Sequence, residues 1–336
     1  MFAACGLLLS SAVLLAAEEE SGKVLAAFQH QAQAVFTKCG GAVVRIEATD
    51  HHGRLAGTGF FIDPNGTIYT SYSVGGESQD ITVEFRGERH PAARLISDVR
   101  SGMAILKIEA ETPFLALGRT QELTLTSPVI ALGYPHELPL TPAFGTVGGF
   151  DVRYAGRYFA TTHIRANVPV QRGEAGAPLL NTKGEVVGIL ISTLDAGSAS
   201  FVLPIEAAEK VRRDFTRFRE TRPGWIGLHI KGTETATAGS TAYIEGVVSD
   251  GPAEKAGLRA GDILLQVGER KITAPEDVLD ASFFLTADDM MIVRIARDGA
   301  ELDIQLQPTD PPNTDRLALP AIGSTDLRLQ GLKVNQ

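Results

Sequence analysis

Few side chains in this sequence of 336 residues could do chemistry by their type and spacing alone. Nucleophilic catalysis needs an activated hydroxyl or thiol, a base of moderate pKa and a third group that fixes the base. The stretch Gly173-Glu174-Ala175-Gly176-Ala177-Pro178-Leu179-Leu180 is built like a tight turn that presents its middle residue, yet that residue, Ala175, carries only a methyl group. The available imidazoles are His30, His51, His52, His90, His136, His163 and His229. His163 lies on the segment that enters the glycine turn and His136 in the loop "GYPHEL"; either could approach it, but neither comes with a matching nucleophile motif. The adjacent pair His51-His52 has no third ligand at useful spacing and reads as a solvated loop. No metal or cofactor is implied.

These groups must be positioned by a chain long enough for about two domains. Hydrophobic residues make up 44%, aromatics only 7%, and there are 35 glycines, which leans towards a turn-rich β protein. The formal charge of −9 and the lack of any Lys/Arg cluster argue against a nucleic-acid partner. The N-terminus, "MFAACGLLLSSAVLLAAEEE", has an apolar run too short for a membrane helix, ended by Ala16 and Ala17 as at a signal-peptidase site. It lacks a basic start, and Cys5 stands too early for a lipid-attachment box. With residues 1–17 removed as a signal peptide, only Cys39 remains, and no internal disulfide is available.

Residues 18–41 form a helix-compatible N-terminal segment. From Ala42 onward short apolar runs follow, each bounded by Gly, Asp, Asn or Pro: "AVVRIEA", "GTGFFI", "TIYTSYSV", "ITVEFRG", "AILKIEA", "SPVIALG", "YFATTHIRA" and "GEVVGILIS" among them. Their lengths and spacing predict antiparallel strands in a barrel or sandwich. "PIEAAEKVRRDFTRF" then predicts a helix with Pro204 at its first turn, and "ETRPG" a linker. A second unit opens at "GWIGLHI". Its helix "TAPEDVLDASFF" begins with Thr273 and has Glu276 three residues on, a capping-box pattern. Asp298-Gly299 marks a hairpin turn before the last strand, and the Pro- and Asp-rich tail from Thr309 is expected to lack a core.

Three stretches, in order, resemble the trypsin-like domain of the HtrA/Deg family of periplasmic serine proteases. "GTGFFIDPNGTIYTSYSV" (Gly57–Val74) is similar to the signature that ends in T-N-N-H-V. "SDVRSGMAILKI" (Ser97–Ile108) resembles the segment holding the catalytic aspartate. "IRANVPVQRGEAGAPLLNTKGEVVGI" (Ile164–Ile189) resembles the nucleophile block without a gap. "GVVSDGPAEKAGLRAGDILLQVGERKI" (Gly246–Ile272) resembles the PDZ domain that follows in the same family. The implied fold is mainly β: a trypsin-like double antiparallel β-barrel over residues 42–218, an α+β PDZ domain over 219–308 and a tail over 309–336.

The resemblance puts Ser73 where the family has histidine, Gly102 where it has aspartate and Ala175 where it has serine. A methyl group cannot attack a carbonyl, a serine hydroxyl is no base near neutral pH, and a glycine orients nothing. The remnant oxyanion loop would be Gly173, Glu174 and Ala175, with Glu174 adding negative charge near the oxyanion position. Ala177 replaces the family's second glycine, and Asn167 its aspartate. These substitutions lead to the expectation of a pseudoprotease, not an enzyme; the alternative is an active serine-type endopeptidase with a reorganised site.

A PDZ domain binds an extended peptide as an added strand and holds its C-terminal carboxylate with backbone N–H groups. By resemblance Trp225, Ile226 and Gly227 supply the carboxylate loop, Leu228, His229 and Ile230 the docking strand, and Val278 and Ser282 the groove side of the following helix, while Leu279 and Phe283 face the core. The expected partners are peptides or protein C-termini with apolar last residues. The family further implies a homo-oligomer, commonly a trimer, or co-assembly with an active relative, with Phe28 and Phe36 as contacts. The expected location is exported, periplasmic or extracellular.

Overall fold

The computed structural model describes residues 23, 26–27, 29–194, 199–235 and 239–312. The segment expected to be a signal peptide, Phe28 and the tail beyond residue 312 lie outside the described residues. A helix over residues 29–39 (α1) precedes the first strand. Gln31, Lys38 and Cys39 donate to the carbonyls of Thr182, Lys183 and Gly184, so α1 is tied to a turn of the second barrel. Burial pushes the Cys39 thiol pKa up. Half-buried Phe36 packs against the chain's own core.

The first unit contains β1 (Val43–Asp50), β2 (Gly53–Phe61), β3 (Thr67–Ser71), the one-turn helix α2 (Tyr72–Gly75), β4 (Gln79–Phe85), β5 (Glu88–Pro91), β6 (Ala93–Asp98) and β7 (Met103–Lys107). These strands form a seven-stranded sheet in the order β5-β4-β1-β2-β3-β7-β6. The second unit contains β8 (Pro128–Gly133), β9 (Thr141–Tyr154), β10 (Arg157–Ala166), β11 (Pro178–Leu180), β12 (Val186–Leu194) and β13 (Ala199–Pro204), and closes into a six-stranded barrel. Inward-facing residues of the first unit, Ile46, Phe61, Ile68, Val83 and Leu106, form one core; Val129, Ile164, Leu179, Val187 and Val202 form that of the second. A third cluster lies between them: Phe60, Tyr69 and Met103 meet Leu180, Ile189 and Leu203. The apolar run of each strand therefore divides its residues between its own interior and the seam.

Helix α3 (Ile205–Phe218) follows β13 and lays Ala207, Ala208 and Val211 on the seam. Its next residue, Arg219, turns left-handed (φ 65°) and ends it. The PDZ unit has β14 (Leu228–Thr235), β15 (Gly239–Val247), α4 (Pro252–Lys255), β16 (Ile263–Val267), β17 (Arg270–Lys271), α5 (Pro275–Phe283), β18 (Met291–Arg297) and β19 (Ala300–Leu306). Strand order is β14-β15-β16-β18-β19, with β17 beside β16, so β14 is an edge strand. Trp225 and Thr309 exchange two backbone hydrogen bonds of 2.7 and 3.0 Å, which closes the unit on itself.

The start of α5 differs from the expected capping box. Asp277, not Glu276, accepts from Thr273 N, Thr273 Oγ1 and Ala274 N at 2.7–2.9 Å. The helix starts one residue later than Thr273 suggests, and the carboxylate that can reach back is therefore the next one along. Phe283 is buried as expected, but in the seam between the barrels and not in the PDZ core. Arg100 stands over its ring at 5.5 Å. Beside it, Asp280 accepts from Thr161 Oγ1 (2.5 Å) and Thr162 N (2.7 Å) on β10, and pairs with Arg270. One face of α5 thus serves the PDZ core and the other the barrel.

Candidate functional site

The segments that carry the three positions aligned with a catalytic triad converge on the β3–α2 junction. Ser73 is exposed on α2, and its Oγ lies 2.8 Å from that of Ser71. Arg94 holds the carbonyls at the end of this short helix, donating to Gly75, Gly76 and Ser78. Tyr72 N–H donates to the carbonyl of Gly102 at 2.6 Å. Gly176 lies against the same junction: a Cβ there would fall 2.2 Å from the Thr58 carbonyl oxygen and 2.7 Å from Ser71 N. This close approach brings Ala175 to the first unit, where its carbonyl accepts from Thr58 N at 2.9 Å.

Thr58 clamps the cleft, and nothing in the sequence beyond its two flanking glycines marks it. Its hydroxyl donates to the Gly173 carbonyl (2.8 Å) and accepts from Tyr134 N (3.2 Å), while its carbonyl accepts from Thr70 Oγ1 (2.7 Å). A buried hydroxyl satisfied from both sides fixes the segments it joins.

Glu174 stands in sequence between the two oxyanion-type N–H groups of Gly173 and Ala175. Its side chain is buried against Gly133, and its carboxylate accepts one backbone bond, from Gln171 N at 2.6 Å. Burial raises its pKa, offset in part by that N–H and by the charge of His136. The N–H groups of Gly173 and Ala175 have no acceptor among the described residues. Ala177 is fully buried in the second barrel, so its extra methyl fills core space.

Neither nearby histidine pairs with a hydroxyl nucleophile. His136 is exposed, and its backbone N–H donates to Arg172 O at 2.6 Å. His136 (φ 50°) and Glu137 (φ 62°) are both left-handed, a conformation that costs a non-glycine residue about 1–3 kcal/mol. His163 is buried, stacks on Phe159 at 4.3 Å, and bonds the Thr161 carbonyl through Nδ1 at 2.8 Å. Among the described residues no imidazole is hydrogen-bonded to a serine hydroxyl. Asn167 is exposed and donates its N–H to Thr146 O.

Burial lowers the His163 pKa to about 4, against the smaller raising effects of the Thr161 carbonyl and the Asp280 charge. The unfolded chain therefore takes up this proton first, from about pH 6.5 downward. Stability linked to His163 is whole above that pH and is lost as the pH falls towards 4. In urea unfolding across pH 4–7, His163→Phe is expected to remove that part of the slope; an unchanged slope would show that the ring does not titrate there.

In the PDZ unit, Gly227 adopts φ +77°, and a Cβ there would lie 3.0–3.1 Å from the Trp225 ring. Its carbonyl accepts from Val248 N and that of Ile226 from Ala253 N, which fixes the loop, while the N–H groups of Ile226 and Gly227 have no acceptor among the described residues. Leu228 and Ile230 face inward beside Val278, all within the PDZ core. His229 points to the opposite face, over Gly246, so only its backbone lies on the docking edge. Ser282 is buried and donates to Leu279 O.

Residues 57–189 match the trypsin-like peptidase domain family, and residues 224–307 match the PDZ domain family. The chain is HtrA/DegP-like. It is 30% identical over 273 residues to a probable periplasmic serine endoprotease DegP-like of Pseudomonas fluorescens, covering 77% of this chain and 57% of the relative. A relative of the same name from Ectopseudomonas mendocina is 30% identical over 294 residues, 80% of this chain and 59% of the relative. The HtrA/DegP-like chain thus spans less than three fifths of the length of these relatives. Among solved structures, the HtrA-type protease AlgW with tripeptide superposes with a TM-score of 0.69 at 20% identity, covering 85% and 99% of the two chains. The serine endoprotease from Yersinia pestis gives 0.59 at 24%, covering 83% and 97%.

These comparisons correct one expectation. The substituted positions suggested a chain that is not an enzyme, yet the relatives are named as serine endoproteases. The physical reason is plain: residues 73, 102 and 175 report only on those three positions and are silent about groups supplied from elsewhere in the cleft.

Proposed function

We propose that this chain is an exported, periplasmic HtrA-type protein that recognises extended peptides or protein C-termini at its PDZ groove, beside a domain of the serine-endoprotease type. The observation that carries this reading is the open edge of β14 together with the unspent N–H groups of Ile226 and Gly227. A peptide strand finds backbone partners along such an edge, and a carboxylate finds donors at its head. Leu228, Ile230 and Val278 are buried in the PDZ core behind this edge, so the preference for apolar last residues rests on the family resemblance. The solved structures of the HtrA-type protease AlgW with a tripeptide and with a decapeptide support peptide recognition on this fold. The family resemblance adds assembly into an oligomer.

Peptide hydrolysis is the second reading, and the relatives' names favour it. It requires a reorganised site, because Ala175 offers no nucleophile. Ser71 and Ser73 place two hydroxyls 2.8 Å apart at the cleft junction, and either would still need a base.

Titration of a labelled decapeptide with an apolar C-terminus is expected to give a micromolar Kd, about −8 kcal/mol. Gly227→Val, which pushes a branched side chain into the Trp225 ring, is expected to weaken binding at least about tenfold. Amidating the peptide's C-terminus is expected to do the same on the native chain. Equal affinity for acid and amide would rule out the carboxylate loop as the site.

A further inference from the structure

The loop between β8 and β9 belongs to the second barrel but is fastened to the first. Tyr134 donates its hydroxyl to Val43 O at 3.2 Å. Arg45 Nη1 donates to the Glu137 carbonyl at 3.2 Å, and Arg54 pairs with the Glu137 carboxylate at 3.3 Å. Both arginines are themselves held by Glu47, which also takes Arg89. Arg45 further pairs with Glu84, and its buried Nε has no partner. The loop keeps two consecutive left-handed residues, His136 and Glu137, in this position.

The same loop touches the turn that carries Ala175. His136 N–H donates to Arg172 O at 2.6 Å, and the Tyr134 carbonyl oxygen lies 2.4 Å from where a Gly173 Cβ would be. The geometry points to residues 134–138 as an ionic strap across the two barrels, which holds the 172–174 turn in place and releases it when the arginine contacts on Glu137 are lost. Strain at His136 and Glu137 favours release, and the contacts from Arg45 and Arg54 oppose it. The Arg54–Glu137 pair is solvent-accessible, so salt screens it. Release would free the Arg172 carbonyl and let the turn shift.

Hydrogen exchange on the full chain tests this. The amide of His136, bonded to Arg172, and that of Glu174, bonded to Gln171 at 3.2 Å, are the reporters. Raising NaCl from 50 mM to about 0.5 M shortens the Debye length to a few ångströms and is expected to speed exchange at both amides at least threefold. Glu137→Gln, which keeps the side chain's shape, and Arg54→Ala are each expected to do so at low salt and to remove most of the salt response. Strands β1, β2 and β12 should be unaffected. Exchange at His136 and Glu174 that ignores salt and both substitutions overturns the strap. So does a rise shared equally by those strands, which would mean that the arginines only stabilise the first barrel.

Discussion

Lys210→Met is expected to lower the free energy of unfolding by about 3–5 kcal/mol. Lys210 and Asp214 are each 3% exposed on α3 and lie 2.5 Å apart. Burial depresses the lysine's pKa and the aspartate restores part of it. Asp214 also accepts from Arg222 N (3.2 Å) and Thr286 Oγ1 (3.1 Å), so it joins α3 to the linker and to the PDZ unit. Removing the ammonium leaves a buried carboxylate with two neutral donors and the more distant charge of Arg100, too little to offset its lost hydration. Asp214→Leu should be as costly, because it strands Lys210 beside Arg100 and Arg213, which repel it.

The double variant Lys210→Met/Asp214→Leu separates this account from simple loss of packing. With both charges gone the desolvation cost of the pair disappears, and what remains is the Thr286 hydroxyl and the Arg222 N–H without their acceptor, about 1 kcal/mol or somewhat more each. Urea unfolding of the two single variants and the double is expected to show the double less damaged than either single. Additive losses would mean that the pair contributes as two independent side chains.

Much of the strand framework could be read from glycine-bounded apolar runs, because an antiparallel strand has few ways to bury a short apolar stretch. The glycine turn at 173–178 was legible for a similar reason: a loop that must pass within 2.2 Å of the Thr58 carbonyl, measured to an added Cβ, tolerates only glycine at 176. What escaped the sequence depends on partners distant along the chain. Phe283 reads equally well as PDZ core or barrel core until the two units are docked. Glu174 lies between two oxyanion-type donors in sequence, but the space beside Gly133 decides that its carboxylate turns inward. The strap was invisible because Arg45 and Arg54 lie 92 and 83 residues from Glu137, and left-handed histidine and glutamate carry no sequence mark.

Reinstating a triad tests how far the cleft has diverged, and Gly102 is the position that resists. It sits at φ +75°, and a Cβ there would come 2.7 Å from Ile191 Cγ2 on β12. Aspartate tolerates a left-handed backbone better than most residues, so the methyl of Ile191 is the larger obstacle. Ser73→His with Ala175→Ser supplies a base and a hydroxyl on segments that converge on the β3–α2 junction, but leaves the imidazole without its orienting carboxylate. Loss of that carboxylate costs about 10⁴ in turnover in a trypsin-like site. Adding Gly102→Asp with Ile191 intact is therefore expected to gain little, whereas adding it together with Ile191→Ala is expected to raise labelling of residue 175 by a serine-directed probe at least about a hundredfold. Equal labelling with and without the Ile191 substitution would show that this methyl does not guard the site. The native chain belongs in the same experiment: residue 175 has no hydroxyl there, so any serine the probe labels, mapped by mass spectrometry, is the nucleophile of a reorganised site.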